Sequence, residues 1–302
     1  MAFSKAYIEI SGYCNAKCRW CVTHNDRHVK AERGFLSPGD LNRILDRLTD
    51  IGAIDGSTVI VLHNWGEPTL NKDFPGITGV LSKNKFRWWY STNASVFPNV
   101  QECDFSSLIY LLISMPGFSQ SSYDKIHGFK FDNILKNIEN YANLFSGSKP
   151  ISISWHVYQF NMQEIPHAYA YAQKLKLGLV PYYAFFNNYD TSIKYLNYKL
   201  SGEDIYDAST QLVLFYVREL IAKQPRKYAC PQLASQVLVD EFGNVLQCCN
   251  ISRTQKHYSL GSVFDLTLDE ISEKREKSPA CIPCLNAGTA YWTANPFILR
   301  AK

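Results

Sequence analysis

Short apolar stretches alternate with amphipathic ones along the first 187 residues. Strands are predicted at residues 7–11, 58–62, 87–91, 108–114, 151–158 and 179–186, and helices at 38–51, 74–83, 131–145 and 162–175. Strands that alternate with helices in this way are typical of βα units on a parallel sheet. The pattern therefore predicts an α/β fold with six strands, too few for a closed eight-fold barrel.

Alternation within two strands predicts a polar inner surface. In the stretch 151–158, Ser152, Ser154, His156 and Tyr158 share one face and the apolar residues share the other. The first strand repeats this pattern and places Glu9 on its polar face. Helices outside the sheet would cover the apolar face, so the polar row would line a site. Glu9 and His156 are therefore candidate substrate contacts, although a solvated edge strand would show the same pattern.

The texture of the sequence changes after residue 190. A charged, tyrosine-rich connection with one helix near 208–222 leads to a predicted hairpin at 237–246, with Gly243-Asn244 at its turn, and a small helix near 268–277. We therefore divide the chain into a first unit at 1–190, a helical connection at 191–229 and a small α+β unit at 230–302.

The composition of the chain limits the classes of protein to which it could belong. The chain has 302 residues, of which 46% are hydrophobic, and its longest apolar runs are too short to span a membrane. No signal-peptide pattern opens the sequence, so we expect a cytoplasmic protein without a membrane partner. A net charge of +4 is too small to indicate a nucleic-acid partner. Nine cysteines in a reducing compartment favour metal binding or catalysis over disulfides.

Three of these cysteines, Cys14, Cys18 and Cys21, stand on the loop after the first predicted strand. Three thiolates can hold three irons of a [4Fe–4S] cluster and leave the fourth iron open for chemistry. The alternative is a zinc site or a group of structural thiols. Zinc usually takes four ligands, and no fourth ligand stands at finger spacing, although His24 and His28 are close in sequence.

The spacing C-x3-C-x2-C, with Trp20 before its last cysteine, resembles the radical SAM (S-adenosyl-L-methionine) enzymes. Their fold would make the first unit a partial (β/α)6 TIM-like barrel, in which the open iron of the [4Fe–4S] cluster chelates SAM. Further motifs follow in the family's order, and the SAM-binding residues that the resemblance implies are Trp20, Asn64, Trp65, Gly66, Glu67, Pro68, Asn93 and Ser114. Trp65 departs from the family's Gly-Gly-Glu-Pro pattern, so it must have an allowed φ there or wall the pocket instead.

A second set of cysteines lies near the end of the chain, at Cys230, Cys248, Cys281 and Cys284. With Gly243 five residues before Cys248, the spacing resembles the twitch domain, a shortened SPASM domain. The resemblance implies a second, auxiliary [4Fe–4S] cluster whose four irons are all closed by thiolates and whose role is electron transfer. A structural Zn(Cys)4 ribbon is the alternative.

Cys249 directly follows the proposed ligand Cys248 on a segment expected to be extended. Successive side chains on a strand point to opposite sides, so Cys249 is expected to turn toward the barrel mouth. A free thiol beside a substrate radical can donate a hydrogen atom, which makes Cys249 the catalytic candidate. The alternative is a packed thiol, which is also the interpretation of Cys103.

Together these motifs resemble the twitch-type radical SAM epimerases of aminoglycoside biosynthesis. The resemblance implies that a 5′-deoxyadenosyl radical takes hydrogen from one sugar carbon of neomycin C and that Cys249 returns it from the opposite face, giving neomycin B. The implied cofactors are SAM and two [4Fe–4S] clusters, and the implied partner is an external one-electron reductant. The alternatives are a dehydrogenase of an amino-cyclitol, an epimerase of a ribosomal peptide and a zinc-bound interaction module.

Overall fold

Strands and helices alternate through the described part of the chain, which a computed structural model gives as residues 2–22, 31–186, 188–213, 215, 230–255 and 257–289. The strands are β1 (Lys5–Ile8), β2 (Val59–Val61), β3 (Arg87–Thr92), β4 (Leu108–Met115), β5 (Ile151–Val157), β6 (Gly178–Tyr183), β7 (Gln236–Val239), β8 (Asn244–Leu246) and β9 (Ser259–Ser262). The α-helices are α1 (Pro38–Asp50), α2 (Phe74–Lys83), α3 (Gln120–Lys125), α4 (Phe131–Phe145), α5 (Ile165–Lys174), α6 (Tyr189–Leu196), α7 (Gly202–Gln211), α8 (Pro231–Ser235), α9 (Leu268–Glu276) and α10 (Cys281–Ala287).

The first six strands form a parallel sheet in the order β6-β5-β4-β3-β2-β1. All six predicted strands and the four predicted helices of this part are present, and their ends differ from the prediction by at most three residues. The α/β fold that the sequence predicts is thus confirmed. Among the described residues, no helix is long and apolar enough to cross a membrane.

Helix α1 illustrates why these segments fold as they do. Ser37 caps its start by accepting a hydrogen bond of 3.1 Å from the N–H of Asp40, and Pro38 takes the first helical position. Its apolar residues recur at helical spacing and are buried on one face: Leu41, Ile44, Leu45 and Leu48. The helix therefore covers the outer face of the sheet.

The two faces of β5 have the character that the sequence predicts. Ile153 and Trp155 are completely buried in the main core, whereas Ser154, His156 and the following Tyr158 line a cavity. Strand β5 lies between β4 and β6, and β1 lies between β2 and β7. The alternative of a solvated edge strand is therefore wrong for both.

The C-terminal hairpin extends the same sheet. Strand β7 pairs in parallel with β1, from Lys5 opposite Gln236 to Ile8 opposite Val239, and β8 and β9 continue in antiparallel order. The predicted hairpin and α9 are present, and Gly243 closes the turn with a φ of +82°. The sequence of the hairpin did not predict that β7 would pair with β1.

The connection between the two units differs from its prediction. A single helix near 208–222 was expected, but α6 and α7 lie here, and α7 ends at Gln211 because Leu212 is extended. Residues 216–222 of the expected helix lie outside the described residues. The proposed division at residues 190 and 229 stays a prediction.

Candidate active site

A cavity of about 330 Å³ lies where the parallel strands end, and each of the six strands or its following loop contributes to the wall. The predicted site residues that line it are Cys14, Cys18, Trp20, Cys21, Asn64, Gly66, Glu67, Asn93, Ser114 and His156. Ligands of open parallel sheets bind at the carboxyl ends of the strands, and the volume suits a small molecule. The structure therefore brings the N-terminal motifs together in one place.

The cysteine loop is held against the barrel wall at several points. The N–H of Cys21 donates to the carbonyl of Cys18 at 3.1 Å, and Nδ2 of Asn93 lies 4.0 Å from Sγ of Cys14. Burial raises the pKa of Tyr158, and its neighbours Cys18 and Cys21 raise the pKa further. All three cysteines therefore border the cavity, and Cys18 and Cys21 lie near enough to Tyr158 to raise its pKa.

The donor set fits an iron–sulfur cluster. Among the described residues, no three Cys, His, Asp or Glu side chains are drawn together as ligands of a single ion would be. Cys14, Cys18 and Cys21 nevertheless border one cavity, and three thiolates are a donor set that could hold a [4Fe–4S] cluster.

Glu67 fastens the loop after β2 to the end of β3. Its Oε1 accepts hydrogen bonds from the N–H and hydroxyl of Thr69 (3.1 and 2.7 Å) and from the hydroxyl of Thr92 (2.7 Å). Its Oε2 accepts from the N–H of Asn93 at 2.7 Å. Burial raises the pKa of Glu67, while these donors lower it. Both oxygens of this buried carboxylate accept hydrogen bonds from the two loops that it joins.

Gly66 is required by close backbone contact. A Cβ at this position would lie 1.6 Å from the carbonyl oxygen of Ser11. Trp65, the departure from the family's pattern, is not among the non-glycine residues with positive φ, so it has an allowed conformation. It does not wall the pocket, and neither Trp65 nor Pro68 lines the cavity.

Trp20 closes the opposite side of the cavity. It is only 8% exposed, meets Phe186 edge to face at 5.5 Å, and donates from Nε1 to Gln211 at 3.3 Å. Ser114 lies across the sheet from Ser91, with their hydroxyl oxygens 3.3 Å apart. Trp20, Ser91 and Ser114 all line the cavity, and the assignment of Trp20 and Ser114 as adenine and ribose contacts stays a prediction.

Glu9 does not reach the cavity, in contrast to its prediction as a substrate contact. Its Oε1 accepts from the N–H groups of Trp65 and Gly66 at 2.7 and 2.6 Å, and its Oε2 accepts from Arg253 at 3.0 Å. Burial, and then Glu241, raise the pKa of Glu9 to about 7, against the lowering by Arg253. Its carboxylate is occupied by the protein itself.

His156 does line the cavity, and it has neighbours that the sequence did not single out. Burial lowers the pKa of His156 and of His63 to about 4, and that of His127 to about 3, so all three imidazoles are neutral at pH 7. His63 accepts at Nδ1 from the N–H of Ser91 at 3.0 Å, and Tyr182 completes this wall. His63 and Tyr182 lie at the ends of predicted strands, and this position could have identified them as lining residues. Nothing in the sequence identified His127 in the same way.

The four C-terminal cysteines form a second group. Burial raises the pKa of Cys284 to about 12, and the neighbouring Cys248, Cys230 and Cys281 add to the rise. The four thiols are therefore near enough to affect the pKa of Cys284, but among the described residues they are not drawn together as ligands of a single ion.

Arg275 lies beside this group, and the sequence did not reveal it. It is 2% exposed, and its guanidinium donates to the carbonyls of Gln232, Leu233 and Gln236 at 2.5–3.3 Å. Burial lowers the pKa of Arg275, while the nearby thiols of Cys248, Cys230, Cys249 and Cys281 raise it. A fixed positive charge here favours thiolates over thiols.

Cys248 and Cys249 lie in a turn and not on an extended segment. Strand β8 ends at Leu246, and the N–H of Ile251 donates back to the carbonyl of Cys248 at 3.3 Å. The two sulfurs lie 3.7 and 3.4 Å from the same atom, Oε1 of Gln232. The expectation that strand alternation separates the two thiols is therefore wrong, because the alternation does not continue into a turn.

Cys249 nevertheless lies near the cavity wall. Burial raises the pKa of Tyr182, a lining residue, and Cys249 raises it further. Burial followed by Cys249 also raises the pKa of Tyr7 to about 12. Cys249 and Tyr7 pack against the same small cluster of buried residues, although Cys249 itself does not line the cavity.

Comparisons with solved structures show the fold. SuiB of Streptococcus suis bound to S-adenosylmethionine matches with a TM-score of 0.60 at 16% identity, over 96% of this chain and 68% of its own. The structure of anSMEcpe with bound AdoMet matches with a TM-score of 0.58 at 18% identity, over 90% of this chain and 82% of its own.

Curated proteins match over shorter stretches. Fe-coproporphyrin III synthase of Methanosarcina barkeri is 25% identical over 174 residues, and the S-adenosylmethionine-dependent nucleotide dehydratase of Selenomonas ruminantium is 30% identical over 95 residues. These alignments cover 56% and 32% of this chain but only 41% and 31% of the two relatives, so the chain spans less than half of their length. No family model matches. In its fold the chain is thus similar to these two structures, and over part of its length it is similar in sequence to the two relatives.

Proposed function

We propose that this protein is a radical SAM epimerase that inverts one carbon of a small sugar-type molecule, with neomycin C, converted to neomycin B, as the first candidate substrate. One observation carries the proposal: three cysteines, the Asn64–Glu67 loop and a wall of neutral polar side chains meet in a single cavity. In this arrangement a cluster, SAM and a substrate could bind at adjoining sites.

Each part of the cavity has a role in this proposal. Cys14, Cys18 and Cys21 would hold the first [4Fe–4S] cluster, and the loop fastened by Glu67 would bind the methionine end of SAM beside it. Bound there, the cluster and SAM would supply a 5′-deoxyadenosyl radical that removes one hydrogen atom from the substrate. Trp20, with 8% exposure, closes the wall and keeps water from that radical.

The luminal wall suits a hydroxylated substrate. His127, His156 and Tyr182 can donate to or accept from hydroxyl groups, and a neutral imidazole nitrogen can also accept from an amino group. Among the described lining residues the only carboxylate is Glu67, whose oxygens accept four hydrogen bonds from the protein. The amino groups of an aminoglycoside would therefore meet neutral acceptors in the described wall.

Cys249 would return the hydrogen atom. Its S–H bond breaks homolytically, the hydrogen atom forms the new C–H bond on the opposite face, and a thiyl radical remains on sulfur. One electron, from an external one-electron reductant, and one proton from water restore the thiol. We propose that Cys230, Cys248, Cys281 and Cys284 hold an auxiliary [4Fe–4S] cluster next to Cys249, in a twitch-type unit from residue 230 onward.

The test is incubation of the anaerobically reconstituted enzyme with neomycin C, SAM and a reductant, in normal and in heavy water. An epimerase gives a product of unchanged mass in normal water and one deuterium at the inverted carbon in heavy water. A product two mass units lighter identifies the alternative, a dehydrogenase of the amino-cyclitol type. Production of 5′-deoxyadenosine without any change in neomycin C excludes that substrate.

A further inference from the structure

Three buried charged side chains meet at the junction of the barrel and the C-terminal hairpin. Arg253 lies between Glu9 and Glu241, bonded to Glu9 at 3.0 Å and to Glu241 more closely. The side chains of Arg253, Glu9 and Glu241 are 6%, 1% and 0% exposed. Charges buried to this degree are costly unless they are paired, so the three side chains fix one another.

Each carboxylate also holds a different loop through backbone N–H groups. Glu9 accepts from Trp65 and Gly66, which belong to the loop assigned to SAM. Glu241, in the β7–β8 turn, accepts from the N–H of Gly34 at 3.0 Å. The trio therefore joins the SAM loop, the segment before α1 and the hairpin turn in one network.

The third member belongs to the segment that follows the Cys248–Cys249 turn. Arg253 comes four residues after Cys249, and its guanidinium stacks 5.6 Å from the ring of Tyr258 in the same segment. A Cβ at Gly12 would lie 1.9 Å from Oε1 of Glu241 and 3.2 Å from the guanidinium. The Glu241 carboxylate and the Arg253 guanidinium therefore pack closely against the backbone at Gly12.

We propose that Glu9, Arg253 and Glu241 are positioning residues that hold the SAM-binding loop and the Cys248–Cys249 turn in a fixed relation to each other. The inference rests on the proposed function, in which the SAM-binding loop serves hydrogen abstraction and the Cys248–Cys249 turn serves hydrogen return. Hydrogen abstraction and hydrogen return act on one carbon, so the group that would take the hydrogen atom and the thiol that would return one must keep a fixed separation. None of the three residues touches the reacting atoms.

Three single variants, one double variant and one control test this role. Glu9→Leu removes both the charge and the acceptor for the SAM loop, whereas Glu9→Gln keeps the acceptor and removes the charge. Arg253→Met keeps most of the volume and removes the positive charge. The matched control is Glu164→Gln, because Glu164 also holds a loop, through the N–H of Phe118 and the hydroxyls of Ser119 and Ser122, but does not touch the hairpin.

The measurements are backbone amide exchange by mass spectrometry and SAM affinity, both on the reconstituted protein. Arg253→Met should speed exchange in residues 248–255 and also at residues 62–67, which it does not contact, and should weaken SAM binding about ten-fold, as directly linked residues do. Glu9→Leu should speed exchange in the same two segments. Glu9→Gln, which keeps the acceptor for Trp65 and Gly66, should largely restore slow exchange at residues 62–67. The Glu9→Leu/Arg253→Met double variant should lose less SAM affinity than the sum of the single losses.

Two results would overturn the inference. One is faster exchange confined to residues 248–255 in Arg253→Met, with SAM affinity unchanged; the other is the same two-segment response in Glu164→Gln. If the wild-type protein binds no SAM, the proposed function fails, but the exchange data still decide whether the two segments are coupled.

Discussion

Oε2 of Glu67 lies 2.7 Å from the backbone nitrogen of Asn93, which joins two loops that the sequence marks only as separate motifs. Its Oε1 meets three further donors. We predict that Glu67→Gln places an amide NH₂ against these N–H and O–H groups and lowers the free energy of unfolding by about 1–3 kcal/mol, because buried donors lose their acceptor.

Urea unfolding measures this loss, and SAM affinity should fall with it. Glu102→Gln is the control, since Glu102 is exposed and bonds only Asn99 among the described contacts. Its change should stay within about 0.5 kcal/mol. Equal stabilities of the two variants would remove the structural role of Glu67.

Alanine substitutions at Gly66 and Gly79 should have opposite effects on stability. A methyl group at Gly66 would lie 1.6 Å from the Ser11 carbonyl, whereas at Gly79, within α2, nothing lies within 4 Å. Gly66→Ala should therefore lose SAM binding and about 3 kcal/mol or more of stability, because backbone cannot move aside cheaply. Gly79→Ala should gain up to about 1 kcal/mol from helix propensity. Thermal unfolding and SAM titration compare them, and a Gly66→Ala protein that binds SAM normally contradicts the site.

The sequence predicted the barrel strands and the cavity motifs well, because local patterns encode them. The alternation in β5 placed His156 on the inner face, and helix periodicity gave α2 and α4 to the residue. Contacts between distant segments were not encoded in this way. Arg253 reaches Glu9 across 244 residues, and Arg275 binds carbonyls up to 43 residues away.

Two errors have the same physical origin. Glu9 was assigned to the substrate because its face of β1 is polar, but the partner that the fold brings to it is Arg253. Cys249 was placed by strand alternation, yet the strand ends at Leu246 and a turn follows. A period of two gives a face only while the strand continues, and it does not reveal what lies opposite.

Substitutions in the first cysteine motif should be distinguishable from substitutions of other cysteines by the iron content of the protein. Cys14→Ala, and likewise the change at Cys18 or Cys21, should abolish 5′-deoxyadenosine production and leave about four irons of an original eight, because the proposed auxiliary cluster would keep its own ligands. Iron and sulfide assays and product analysis measure this. Cys103→Ala is the matched control: the Cys103 thiol donates to the carbonyl of Asn99 at 3.3 Å, far along the chain from both motifs. It should keep all iron and full SAM cleavage.

His127 predicts a pH dependence of stability. Its side chain is 98% buried, its Nδ1 has no hydrogen-bond partner among the described residues, and burial lowers its pKa to about 3. Between the unfolded pKa of about 6.5 and that value, only the unfolded state binds the proton, so stability falls as the pH is lowered. From pH 7 to pH 5 the loss due to His127 should be about 2 kcal/mol.

The measurement is urea unfolding at both pH values for the wild type and His127→Gln, whose amide does not titrate in this range. The variant should lose about 2 kcal/mol less than the wild type between pH 7 and pH 5. Identical losses would mean that His127 accepts a proton in the folded protein, and the neutral luminal wall would have to be abandoned.

Cys249 decides between inversion and dehydrogenation. Its thiol proton exchanges with solvent, so hydrogen return from Cys249 places one solvent deuterium at the inverted carbon in heavy water. Cys249→Ser is the sharpest variant, because the hydroxyl keeps the size and polarity beside Gln232 but its O–H bond is too strong to donate a hydrogen atom. We expect iron content and 5′-deoxyadenosine formation to persist in Cys249→Ser while inversion stops. Normal inversion in this variant, measured by chromatography and mass spectrometry, would leave Cys249 a packed thiol and move the donor elsewhere in the lumen.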